Sequence, residues 1–148
     1  MTDTARVLLT AALLSSTALG VFVWMLSRVD PAGPERLIGQ LRLAQWGALT
    51  LAATGAVSIG LAIASEGDPF GAIEVTSGVA FIVVAALVVQ REPREALLLA
   101  AAGFILHALV DIAHRPGGLA PIAPHWYAVG CAVYNVYFAA VCYWATRK

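Results

Sequence analysis

Long uninterrupted apolar segments constrain this chain more than any other feature. Five windows of about 20 mainly apolar residues follow one another with short polar breaks, and a helix of that length crosses the hydrocarbon core of a bilayer. We place the predicted spans at 6–27, 43–64, 69–90, 95–114 and 125–146. With 60% hydrophobic and 12% charged residues, the composition lies far from that of soluble domains. We therefore predict an all-α integral membrane protein, a compact bundle of five transmembrane helices that forms one domain over residues 1–148.

Local signals refine the first two predicted helices. The first window resembles a signal peptide, because VLLTAALL is followed by the small-residue run SSTA, but apolar residues continue through VFVWML and favour a retained span. Pro34 lies ahead of the second window and suits a first helical position, so we expect this helix to begin in water with PERLIGQLRL. The second helix also has small residues at every fourth position, which predicts a close packing face: Ala44, Ala48, Ala52, Ala56, Gly60 and Ala64.

The distribution of Arg and Lys predicts the orientation of the bundle. Five spans place the N-terminus and the loops at 65–69 and 115–124 on one side, which carries only Arg6 and Arg115. The other side carries Arg28, Arg36, Arg42, Arg91, Arg94, Arg147 and Lys148. Because cytoplasmic loops are enriched in Lys and Arg, we expect an outside N-terminus and a cytoplasmic C-terminus in the cell membrane. The formal net charge of +0 gives no indication of a nucleic-acid partner.

Ionisable side chains inside the predicted spans are the main functional signal, because such groups are costly in a bilayer and usually face a protein interior or a wet cavity. His107, Asp111 and His114 follow the spacing i, i+4, i+7, which places them on one face of helix four. Glu74 lies near the start of helix three, at a similar depth from the same outer surface. We expect Glu74, His107 and Asp111 to face one another inside the bundle.

Helix five begins at the same surface and adds further polar side chains. His125 lies in its first turn. Four later residues share one helical face, and we expect them to line a pocket: Tyr127, Cys131, Tyr134 and Asn135. Three helices thus contribute polar groups at one depth, which predicts a site that faces outward.

Three interpretations of this cluster remain open. Imidazoles with carboxylates suit zinc, or iron with open positions, and the candidate ligands are His107, Asp111, His114 and His125. A metal-free pocket would instead use Glu74 and Asp111 as catalytic acid/base groups. In a purely structural role, His107 and Asp111 would hydrogen-bond each other, while His114 would favour the negative end of helix four.

Two functions follow from these interpretations. The first is a small membrane-embedded enzyme acting on a lipid or isoprenoid-like hydrophobic substrate. Its reaction would be hydrolysis assisted by a divalent metal, or a cyclisation or isomerisation started by a carboxylic acid. The second is a non-catalytic membrane subunit or carrier that binds a metal ion, a proton or a partner protein. Homo-oligomerisation is expected of a carrier, because five helices enclose little volume. The sequence contains none of the common nucleotide-binding or nucleophile motifs.

Overall fold

The computed structural model describes residues 3–65, 71–114 and 125–147. Within these ranges the secondary structure is helical: α1 is Asp3–Leu26, α2 Pro34–Ala64, α3 Gly71–Val88, α4 Pro93–Ala113 and α5 His125–Ala145. All five helices are long and apolar enough to cross a membrane. The predicted set of five helices of spanning length is therefore confirmed.

Prolines begin α2 and α4, as the sequence suggests for α2. Gly33 and Glu92 precede these prolines with extended backbone, and neither helix has a side-chain capping bond at its start. Proline needs no hydrogen-bond acceptor at the first helical position, where its missing N–H costs nothing. The 31 residues of α2 give it a length of roughly 46 Å, so it extends well beyond its apolar window.

The helices α2 and α4 form the centre of the bundle. α2 packs along α3, α4 packs along α5, and α2 also contacts α4 and α5. α3 lies against α2 and α4, whereas α1 is peripheral and contacts only α5 and α2 among the described parts of the chain. The antiparallel order brings the ends of α2 and α4 to the same end of the bundle as the starts of α3 and α5.

Aromatic and aliphatic side chains fill the space between these helices. Leu43, Leu51 and Leu97 are completely buried, and the rings of Phe104 and Phe138 stack with their centroids 4.5 Å apart. The outer surface is apolar as well, with more than 30 large hydrophobic side chains exposed, among them Trp46, Leu49 and Val133. Soluble monomers rarely expose apolar surface on this scale, and helices that face lipid do.

The predicted small-residue face of α2 is correct only in its first half. Ala44 and Ala48 are buried, but Ala56, Gly60 and Ala64 are exposed. Each step of four residues overshoots a full helical turn by about 40°, so a run of six such positions winds off any single face. α2 and α3 approach each other closely at residues 55 and 78, where a Cβ on either glycine would lie 2.6 Å from the backbone oxygen of the other.

Arg36 is buried, although its sequence position suggests an exposed charge between two spans. Only 3% of the residue is exposed, and its guanidinium donates hydrogen bonds to the backbone oxygens of Leu26, at 2.6 Å, and Ala145, at 3.0 Å. Gln40 also donates a hydrogen bond to this oxygen of Ala145, at 2.8 Å. The last carbonyls of a helix lack intrahelical partners and favour a cation. Arg36 therefore ties the ends of α1 and α5 to the start of α2.

A pair of Gly→Ala substitutions in α2 tests the packing against α3. A Cβ at Gly55 would lie 2.6 Å from the backbone oxygen of Gly78, whereas a Cβ at Gly60 would meet nothing within 4 Å. We expect Gly55→Ala to lower the free energy of unfolding by about 1 to 3 kcal/mol, because the two backbones must separate. Gly60→Ala should be neutral or stabilising by up to about 1 kcal/mol. Unfolding of both variants in detergent measures the difference, and equal effects would contradict the packing described.

Candidate acid/base site

A polar cavity of about 50 Å³ lies where α2 and α4 end and α3 and α5 begin, which we call the cavity end of the bundle. Four helices line it. Its ionisable and other reactive lining residues are Glu74, His107, Asp111, His114, Tyr127 and Cys131. The structure thus brings the polar residues of helices three, four and five to one place, together with the hydroxyl-bearing Thr54 and Ser58 of α2.

Glu74 and His114 form a buried pair that joins α3 to the end of α4. Oε1 of Glu74 contacts Nε2 of His114, and both side chains are at least nine-tenths buried. Nδ1 of His114 lies 2.8 Å from the backbone oxygen of Val110. That oxygen can only accept, so Nδ1 is the donor and carries a hydrogen. The contact between Nε2 and Oε1 then requires a second proton, held by one of the two partners.

His107, Asp111 and Asn135 form a second polar group that joins α4 to α5. Nδ1 of His107 lies 3.2 Å from Oδ2 of Asp111. Nδ2 of Asn135 lies 3.0 Å from each of these atoms. His107 and Asp111 are one helical turn apart, so the helix itself holds their side chains in register. The hydrogen bond that the structural interpretation proposed between them is present, and it occurs at the wall of a cavity.

Two polar atoms of this group are buried without a hydrogen-bond partner in the described parts of the chain: Nε2 of His107 and Oδ1 of Asn135. His107 is 4% exposed and Asn135 is 1% exposed. The ring of Phe81 covers His107, with 4.6 Å between the two centroids. Buried polar atoms in folded proteins are nearly always hydrogen-bonded, so the unpaired nitrogen of His107, a residue that lines the cavity, indicates a position where a ligand or water can complete the hydrogen bond.

The cavity is closed at its inner end. Leu51, Phe104 and Phe138 each lie one helical turn further from the cavity end than a polar residue of the same helix, and all three are fully buried. The core beyond them consists of leucine, valine, alanine and phenylalanine side chains with the thiol of Cys142. The described polar residues that line the cavity therefore all lie at the cavity end of the bundle.

Three predicted site residues lie elsewhere or outside the described range. The hydroxyl of Tyr134 points to α1, 3.3 Å from Oγ of Ser15, and Tyr134 does not line the cavity. Asn135 does not line it either but acts through its contacts with His107 and Asp111. The side chain of His125 lies outside the described residues. Thr54 and Ser58 were missed because hydroxyls are common on helix faces that serve no site.

The described donors do not form a metal site. Among them, no three His, Cys, Asp or Glu side chains converge in a way that could hold an ion. The described candidates are divided between two pairs: His107 lies with Asp111, and His114 lies with Glu74. A separation of two helical turns keeps the two imidazoles apart. A metal-dependent function is therefore unsupported by these residues.

No protein-family model, curated protein or solved structure matches this chain. Fold and site together define a class: an all-helical chain, over its described parts, with five helices suited to crossing a membrane. At one end of the bundle it holds two carboxylates and two imidazoles around a small cavity. Its function is inferred from this geometry.

A double-mutant cycle tests the contact between α3 and α4. We expect Glu74→Gln and His114→Gln each to destabilise the protein, because either change leaves a buried polar partner incompletely matched. The double variant should be more stable than the sum of the two effects implies, with a coupling of about 1 kcal/mol or more. Unfolding in detergent gives these values.

The control cycle combines Glu74→Gln with Arg147→Gln, which lies at the opposite end of the bundle. These two changes should be additive within about 0.5 kcal/mol. Additivity of the Glu74 and His114 variants as well would contradict the pairing.

Proposed function

We propose that this is a multi-pass membrane protein whose cavity is an acid/base site, in which Glu74 exchanges a proton with His114 and Asp111 is the carboxylate that orients the base His107. One observation carries the proposal: each carboxylate is paired with its own imidazole at the wall of one cavity. Imidazole and carboxylate differ little in proton affinity when both are removed from water, so a proton moves between them at low cost. Such pairs suit general acid/base catalysis.

The apolar outer surface and the charge distribution support the placement in a cell membrane. With Arg36 buried inside the bundle, six of the seven basic residues assigned to the second side remain available to a cytoplasmic surface. The first side has only Arg6 and Arg115. This asymmetry favours a cytoplasmic C-terminus. In that orientation the cavity end faces outward, as the sequence suggests.

The cavity volume limits what the site can act on. Pockets that enclose a small organic ligand have volumes of roughly 300 to 1,000 Å³, whereas this cavity has about 50 Å³. A lipid or isoprenoid-like substrate therefore enters with its reactive end only, and its tail remains among the helices or in the bilayer. The chemistry is confined to a group of a few atoms.

In an isomerisation or cyclisation, one carboxylate–imidazole pair donates a proton to the substrate and the other pair removes one. The proton shared by Glu74 and His114 passes to an alkene or epoxide, whose electron pair forms the new bond to hydrogen. The carboxylate left behind stabilises the positive charge that develops on the substrate. His107, oriented by Asp111, removes a proton from a neighbouring atom and restores a double bond. The proton returns through the cavity, so the cycle consumes no other reactant.

The small volume also favours a second function, a proton-binding membrane subunit or carrier without catalysis. About 50 Å³ accommodates a few water molecules or a hydrated proton. The buried side chains of Leu51, Phe104 and Phe138 close the inner end of the cavity, which argues against a continuous path across the bundle. A carrier would need a second conformation, or a second copy of the chain, to open the other side.

Infrared spectroscopy of the protein in lipid nanodiscs tests the acid/base proposal. We expect a carboxyl C=O band that shifts in D₂O, because Glu74 and His114 share an exchangeable proton, and a separate carboxylate band from the charged Asp111. Glu74→Gln should remove the first band and Asp111→Asn the second. The matched control Glu92→Gln alters an exposed carboxylate and should leave both bands in place. Absence of any D₂O-sensitive carboxyl band from Glu74 would contradict the proposal.

Lipid and isoprenoid extracts of cells that carry wild-type protein or Asp111→Asn separate the two functions. If the protein is an enzyme, we expect one class of molecule to accumulate in cells with the variant while the variant protein remains folded. An unchanged profile favours the proton-binding subunit. Leu109→Asn is the control for folding, because Leu109 is 57% exposed on the apolar outer surface and an amide there is costly in lipid.

A further inference from the structure

His107 has one ring nitrogen that the described protein groups do not use. The residue is 96% buried by its 4% exposure, and it lines the cavity. Nδ1 contacts Asp111 and Asn135, which leaves Nε2 as the second nitrogen of a ring that lines the cavity. Nε2 has no hydrogen-bond partner in the described ranges. An unmatched buried polar atom is costly, so the site favours a ligand that completes this hydrogen bond.

The triangle of His107, Asp111 and Asn135 decides which nitrogen carries the hydrogen. Nδ2 of Asn135 is equally far, 3.0 Å, from Nδ1 of His107 and Oδ2 of Asp111. The two N–H bonds of an amide diverge widely, whereas these two atoms are only 3.2 Å apart, so the amide cannot donate a straight bond to both. The charged oxygen is the stronger acceptor and takes the amide hydrogen.

Nδ1 of His107 must then be protonated. A bare Nδ1 would direct its lone pair at the carboxylate oxygen, which is unfavourable at 3.2 Å, whereas an N–H there donates to Asp111. In the neutral ring, Nε2 is therefore a hydrogen-bond acceptor. Asp111 and Asn135 are positioning residues, because they set the tautomer and orientation of His107. Phe81 holds the ring from the side.

We propose that the inner end of the cavity binds the hydroxyl group of a ligand, which donates its hydrogen to Nε2 of His107. This inference rests on the proposed acid/base function and deepens it by naming hydroxyl-bearing ligands as the class that the site accepts. The hydroxyl belongs to water or to the alcohol end of a lipid-like molecule. About 50 Å³ holds a hydroxyl with one or two carbon atoms, while a longer tail stays outside.

The hydrogen bond also prepares a proton transfer. The O–H bond breaks as Nε2 takes the proton, and the bonding electrons remain on oxygen as an alkoxide or hydroxide. His107 becomes an imidazolium whose charge Asp111 stabilises at Nδ1. His107 is then the catalytic base, and no redox partner is needed.

Nitrogen-15 NMR of histidine-labelled protein in nanodiscs tests the inference, because the chain has only 3 histidines and variants His107→Gln and His114→Gln assign the signals. We expect protonated Nδ1 and bare Nε2 at His107. Ethanol should shift the Nε2 signal in a saturable way. Dimethyl ether, an isomer of ethanol without an O–H group, should not. A series of longer alcohols in lipid, compared with water alone, distinguishes a lipid alcohol from water as the bound group.

Two variants separate positioning from packing. Asp111→Asn should allow both tautomers of His107 and reduce the ethanol-dependent shift several-fold, whereas the exposed Glu92→Gln should leave both unchanged. A proton on Nε2 of His107 in the wild-type protein, or equal shifts with ethanol and its ether isomer, would overturn the inference. An ethanol effect without a D₂O-sensitive carboxyl band from Glu74 would retain the hydroxyl site and refute the acid/base function. Such a band without an ethanol effect would retain the acid/base function and refute the hydroxyl site.

Discussion

A carboxylate buried among apolar helices costs several kcal/mol unless a hydrogen-bonded partner meets it, and this cost governs one end of the bundle. Glu74 meets His114, and Asp111 meets His107 and Asn135. The first contact joins α3 to α4, and the second joins α4 to α5. The same pairings that make the carboxylates tolerable therefore hold three helices together around one cavity.

The opposite end of the bundle is organised by a different polar group. Arg36 binds the terminal carbonyls of α1 and α5. The stacked rings of Phe104 and Phe138 lie between Arg36 and the cavity. The bundle thus has polar contacts at both ends and an apolar middle. That arrangement favours a site served from one side over a path through the membrane.

Local sequence patterns predicted the helices well because hydropathy and proline placement act within one segment: the five apolar windows became five helices, and Pro34 begins α2. The shared face of His107 and Asp111 likewise follows from helical spacing. Pairing between helices did not follow, since it depends on rotations and distances that no single segment encodes. The hydroxyl of Tyr134 therefore contacts Ser15 of α1. The guanidinium of Arg36 binds backbone oxygens, and one of them, on Ala145, is more than 100 residues away in the sequence. The described candidate metal ligands likewise fall into two pairs, because the described contact of Glu74 is with His114 and that of Asp111 is with His107 and Asn135.

The most direct test of this account is the distance between the Glu74 carboxyl carbon and the imidazole nitrogens, measured by solid-state NMR in membranes. Protein labelled with carbon-13 at glutamate carboxyls and nitrogen-15 at histidine supplies the dipolar couplings, and Glu74→Gln identifies the signal that Glu74 contributes. The account predicts a strong coupling to Nε2 of His114, as expected for groups in hydrogen-bonding contact. A Glu74 carboxyl that couples to no imidazole nitrogen would contradict the shared cavity and, with it, the acid/base site.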